Sequence, residues 1–142
     1  IKDQLFLMVD EDTRAFNKIM NSFGLPKRTD EEKKIRTNAI QDATKNAIEV
    51  PFKVMELSLE SMDIIKAMAE AGNPNSVSDA GVGALCARTA VLGAFMNVKI
   101  NASGYDDKQF VEHILKSGKE IENKAIKKEN EIIQIVNEKI GI

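Results

Sequence analysis

The sequence predicts an all-α protein, an antiparallel helical bundle with a buried central helix and a long C-terminal helix. Three observations carry that expectation. Apolar residues recur at spacings of three and four along most of the chain. Ala, Glu, Lys and Met are abundant, whereas there are only three Pro and no Trp, and β-branched runs are few. Turn signals are confined to a few places: Gly24-Leu25-Pro26, Gly72-Asn73-Pro74 and the stretch after Gly104. With 142 residues, 43% hydrophobic and 30% charged, the chain has the apolar material for one core and is expected to form one domain over residues 1–142.

Each element has its own reason. From Asp3 to about Phe23, Leu5, Met8, Val9, Phe16, Ile19, Met20 and Phe23 make an amphipathic stripe. Its one fault is Asp12, which puts a carboxylate where the period asks for an apolar residue. Thr29 and Glu32 form a capping box, with Asp30 and Glu31 favouring the positive end of the next helix. That helix carries Ile35, Ala39, Ala43, Ala47 and Val50. Pro51 lacks a backbone donor and crowds the preceding turn, so a kink or short break is expected there. A further segment from Phe52 stops at Gly72. The following helix opens near Ser78 and is apolar nearly all round from Ala80 to Met96, which predicts burial on most sides, Cys86 included. Asp79, Arg88 and Asn97 interrupt it and argue against a membrane span. Asp106 or Asp107 caps a last helix running to about Lys139, on the order of 50 Å long and able to reach a partner.

Composition excludes several classes of chemistry. Twenty Lys and Arg against 22 Asp and Glu leave a net charge of -2, without the basic bias of a nucleic-acid binder. One His and one Cys leave no nucleophile beside a base, and His113 reads as surface decoration. Gly81 and Gly83 follow no strand, so no phosphate loop is expected. No metal site is expected, since neither carboxylates nor imidazoles cluster at ligand spacing. The lone Cys86 and the lack of a secretion signal predict a cytoplasmic protein. Five polar residues remain at positions that a bundle would bury: Asp12, Asp79, Arg88, Asn97 and Asn101. Unpartnered, a buried amide costs about 1–3 kcal/mol and a charge more, so they predict a satisfied network or a ligand cleft. Asp79 alone also fits a helix start, Arg88 a partner of Asp12 or Asp79, and the two Asn a helix end.

The run Val9-Asp10-Glu11-Asp12-Thr13-Arg14-Ala15-Phe16, followed by Leu25-Pro26-Lys27, Glu31-Glu32 and Arg36, resembles the formiminotetrahydrofolate cyclodeaminase family. Gly72-Asn73, Ser78-Asp79 and the stretch from Gly93 to Asn101 resemble its second signature, in the same order. The likeness runs from Leu5 to Ile140, and the family includes methenyltetrahydrofolate cyclohydrolases. Family members begin with a Gly- and Ala-rich helix. None precedes Ile1, so the domain is expected to lack that helix.

The resemblance implies conversion of 5-formiminotetrahydrofolate to 5,10-methenyltetrahydrofolate and ammonia, in one-carbon metabolism and histidine degradation. It implies no cofactor beyond the tetrahydrofolate substrate, a homodimer or higher oligomer, and a formiminotransferase fused to the domain or working beside it. Asp12 and Asp79 are then the candidate catalytic residues. Arg88, Asn97 and Asn101 are candidates for orienting and recognising the substrate, and Lys27 for holding a glutamate or polyglutamate tail. Two alternatives stand beside this: the cyclohydrolase reaction on the same scaffold, and a non-catalytic helical dimerisation module.

Overall fold

The computed structural model describes residues 1–141. Four helices make up the fold: α1 (Lys2–Phe23), α2 (Asp30–Ala71), α3 (Val77–Ala102) and α4 (Lys108–Ile140), with a single 3-10 turn at Pro74–Ser76. There is no strand among the described residues, and the all-α expectation holds.

Local signals set the helix ends. The Thr29 hydroxyl accepts from the Glu32 amide while the Glu32 carboxylate accepts from the Thr29 amide, the reciprocal capping box. Asp107 caps α4 by accepting from the Phe110 amide. The Arg36 guanidinium donates to the Phe23 carbonyl and lies over the Phe23 ring, tying the end of α1 to α2.

α2 is the hub. Its 42 residues make a rod of about 63 Å, and each of the other three long helices packs on it. α1 runs back along its first half and α3 along its second, as Asn101 against Ala47 and Gly83 against Ile65 show. α4 folds back antiparallel on α3 and so runs parallel to α2. Lys66 pairs with Glu131 at 2.8 Å, and Lys128 pairs with Asp63 one turn earlier. Each member holds the other's charge in the first of these pairs: a hydrogen bond from Lys66 lowers the Glu131 carboxyl from its ordinary value and raises the ammonium.

Two expectations change here. Of the kink or short break expected at Pro51, the break does not occur: α2 runs on through it as one helix, with Pro51 buried. A proline at 51 removes the amide that would bond the Ala47 carbonyl. Asn101 of α3 replaces it, its side-chain nitrogen donating to that carbonyl at 2.8 Å. α3, expected to be buried nearly all round, is covered on one side only. Ala80, Ala84, Ala87, Val91, Phe95 and Val98 are in the core, while Val82, Leu85, Met96 and Ile100 lie open and Cys86 is exposed. Its neighbours α2 and α4 reach two flanks, and composition alone cannot say which flanks have neighbours. By length and composition Pro74–Ala102 could cross a membrane, a test that core helices of bundles also pass.

The apolar interior has two parts. The larger, between α2, α3 and α4, centres on Ile48, Met55, Met62, Val91, Val98 and Ile132. The smaller pins α1 to α2 through Ala15, Ala47 and Val50, flanked by Met8 and Ile19.

Candidate functional site

α1, α2 and α3 meet beside Pro51. Here α1 contributes Leu5, Met8, Val9 and Asp12, α2 contributes Pro51 and Val54, and α3 contributes Ala90, Ala94 and Asn97, around an open hollow of about 280 Å³. Its walls are apolar except for one carboxylate and one amide, which come from helices distant in sequence. Small side chains at Ala90 and Ala94 leave the space, and Asp12 and Asn97 supply the polar edge. Few, fixed polar groups on an apolar wall are the usual composition of a small-molecule site.

Only part of the expected constellation assembles there. Asp12, expected on the buried face, is exposed at the rim, because α1 has α2 on one side only. Asn97 is likewise exposed on the other wall. Asp79 lies elsewhere, in a hollow of about 420 Å³ with Ile64, Ile65, Met68, Asn73, Ser76 and Ala80. Eighteen helical residues separate it from Asn97, roughly 27 Å along α3, so Asp12 and Asp79 do not share a centre within one chain. Asp79 sits in the first turn of α3, where a carboxylate is favoured by the helix dipole.

Lys27 is exposed at the α1–α2 turn, in a third hollow with Arg28 and Glu32. The eleven residues from Asp12 to the end of α1 put it roughly 16 Å farther along the helix. Arg88 pairs with neither Asp12 nor Asp79. Its Nε lies 3.0 Å from a carboxylate oxygen of Glu129 on α4, in an ion pair not aligned as a hydrogen bond. Asn101 is not among the residues lining the hollow; its side-chain amide donates to the Ala47 carbonyl, which makes it a support of α2.

Sequence reasoning missed two features. Glu129 is buried on the inner stripe of α4, between Ala125 and Ile132, and the test that singled out Asp12, a carboxylate at an apolar position, would have found it. A groove also runs between α1 and α2, with Lys18, Asn21, Asp42 and Asn46 beside Leu25, Ala39 and Ala43. It continues past Lys18 and Asn46 to Glu11 and Arg14. No periodicity rule marks it, since polar residues on a helix flank read as solvated surface.

Comparison with known proteins places this bundle within a family. A family model described as formiminotransferase-cyclodeaminase matches residues 1–120, most of the chain, and the chain belongs to that family. It is 44% identical over 109 residues to a methenyltetrahydrofolate cyclohydrolase of Methylorubrum extorquens, covering 77% of this chain and 52% of that protein. It is 40% identical over 108 residues to a formimidoyltransferase-cyclodeaminase of Gallus gallus, covering 76% of this chain and 20% of the relative. The chain therefore spans about half of the first relative and a fifth of the second. The crystal structure of a formiminotetrahydrofolate cyclodeaminase from Thermotoga maritima superposes with a TM-score of 0.80 at 24% identity, over 95% of this chain and 63% of that one, which supports the same fold.

Proposed function

We propose that this chain forms part of a folate-interconverting enzyme that closes 5-formiminotetrahydrofolate to 5,10-methenyltetrahydrofolate with release of ammonia. The observation that carries the reading is the convergence of Asp12 and Asn97 on one apolar hollow, in a chain of the formiminotransferase-cyclodeaminase family. The reaction asks for little machinery. With the formimino group protonated as an amidinium, N10 of the folate attacks its carbon and loses a proton, the departing NH2 nitrogen gains that proton, and the C–N bond breaks to release ammonia as the positive charge spreads over N5, the bridging carbon and N10. A carboxylate at the rim can carry that proton from one nitrogen to the other and stabilise the cation that results. Asp12 takes this role. Asn97, with a donor and an acceptor, suits the edge of a pterin ring. Lys27 and Arg28 offer charge to a glutamate tail at the far end of α1. Cytoplasmic histidine degradation is the setting that fits this substrate.

The identity to a cyclohydrolase favours a second reading, in which the hollow adds water to the methenyl carbon instead. One experiment separates them. The complete protein is given each folate, and the ultraviolet absorption of the methenyl form is followed. Its appearance from the formimino substrate supports the first reading, and its decay alone supports the second. Under either, Asp12→Asn is expected to lower kcat by about 10²–10⁴-fold, the usual contribution of a positioned acid or base. Unchanged turnover removes Asp12 from the mechanism.

A further inference from the structure

Asp12 and Asn97 reach one hollow from two helices, and each lies one helical turn from a contact with the same residue of α2. Asp12 stands three residues before Ala15, whose side chain packs with Ala47 and Val50. Asn97 stands four residues before Asn101, whose side-chain nitrogen donates to the Ala47 carbonyl at 2.8 Å. Ala47 is therefore the common point on which α1 and α3 are both seated. Among the described residues, the bond from Asn101 is the only hydrogen bond or ion pair that joins α2 to α3. Side chains such as Met55, Met62, Val91 and Val98 pack the rest of that contact. Apolar burial is non-directional, whereas a hydrogen bond holds its two groups to a narrow distance and angle.

We propose that Asn101 is a positioning residue, which holds α3 in register on Ala47 so that the Asn97 amide stands across the hollow from Asp12. It lies outside the lining of the hollow and acts through Asn97. The place of this bond in the fold suits the role. Asn101 is in the last turn of α3, which ends at Ala102, and helix ends fray unless something ties them down. Asn97 is itself exposed, so its place relative to Pro51 and Val54 follows from how that last stretch of α3 is held. The inference deepens the folate reading above and rests on it.

The test uses the complete protein and 5-formyltetrahydrofolate as probe, a folate with oxygen in place of the imino nitrogen, beside the substrate that the protein turns over. A group that holds the ring equally in ground and transition states is read in binding rather than in turnover. Asn97→Ala and Asn101→Ala are each expected to raise the Kd of the probe and the KM of the substrate about tenfold, the worth of a good hydrogen bond. With Asp12 untouched, kcat is expected to stay within about threefold and to keep its pH profile. The double variant is expected to be no worse than Asn97→Ala, the non-additivity of residues that act as one unit. A Pro51→Ala background separates positioning from support of α2. There residue 51 has an amide for the Ala47 carbonyl, whose second lone pair still accepts from Asn101. Relative to Pro51→Ala itself, Asn101→Ala is still expected to weaken the probe about tenfold, although α2 no longer needs the bond. Additive losses in the double variant, or an unchanged Kd in the Pro51→Ala background, overturn the inference and leave the folate reading standing. An unsubstituted protein that neither binds the probe nor turns over a folate overturns both. The Pro51→Ala arm decides the matter should Asn101→Ala alone fail to fold.

Discussion

Gly118 shows how closely single residues set this packing. It is buried in the middle of α4, a position where glycine costs about 1 kcal/mol relative to alanine. The Phe95 ring of α3 occupies the place a Cβ would take, and Lys99 lies over that ring, its Nζ 3.9 Å from the centroid. Gly118→Ala should therefore lower stability by about 1–3 kcal/mol despite the better helix propensity, as overpacking does, and a thermal or denaturant melt measures it. A gain in stability would mean that the ring moves aside freely. At this scale the sequence was readable where a residue broke a pattern and silent where it kept one. Asp12 stood out on its stripe. Glu129 did so equally but faces Arg88, so its role is internal. Asn97 and Asp12 could not be joined by spacing, because they come from α1 and α3; their association came from family resemblance and then from the geometry.

Among the elements, α2 is the one whose continuity depends on another helix. Pro51 leaves the Ala47 carbonyl without its partner in the same helix, and Asn101 supplies one. A double-mutant cycle exposes the dependence. Asn101→Ala alone is expected to cost about 1–3 kcal/mol, the penalty of an orphaned buried acceptor. In a Pro51→Ala background, where residue 51 has an amide to donate, the same substitution should cost markedly less. Equal costs in the two backgrounds would show that Asn101 acts for some other reason. The cycle also explains which boundaries could be foreseen. The capping box at Thr29, the Asp107 cap and the stop at Gly72 are written within four residues of where they act. The bridging of Pro51 is written fifty residues away, so a local rule expects a break. The same limit applies to α3, whose apolar composition states how much it could bury and not which side meets a neighbour.

For the whole molecule, the seam between α2 and α4 is electrostatic at its surface, and this gives a pH dependence with a definite sign. The Glu131 carboxyl is lowered from its ordinary value by the hydrogen bond from Lys66, so the folded chain holds its proton less tightly than the unfolded one. Stability from this pair is thus present above the usual carboxylate range and lost as pH falls through the lowered value. Lys66, raised by the same bond, loses its share only as pH climbs past the ordinary lysine range. Melting between about pH 3 and 7 should show an acid limb that Glu131→Gln flattens. High salt should shrink the difference, because both side chains are more than a third exposed. An acid limb identical in the variant would assign it to other carboxylates.

The division of the apolar interior into a large and a small part bears on how the hollow beside Pro51 behaves. One of its walls is α1, which is fastened by a handful of side chains, while the other two belong to the main body. Regions so lightly held open locally at a lower free energy than the rest of a domain. Any molecule lodged between Asp12 and Asn97 would act as a rivet joining a loose plank to a firm frame. Occupancy and the anchoring of the first helix are then a single equilibrium viewed from two ends.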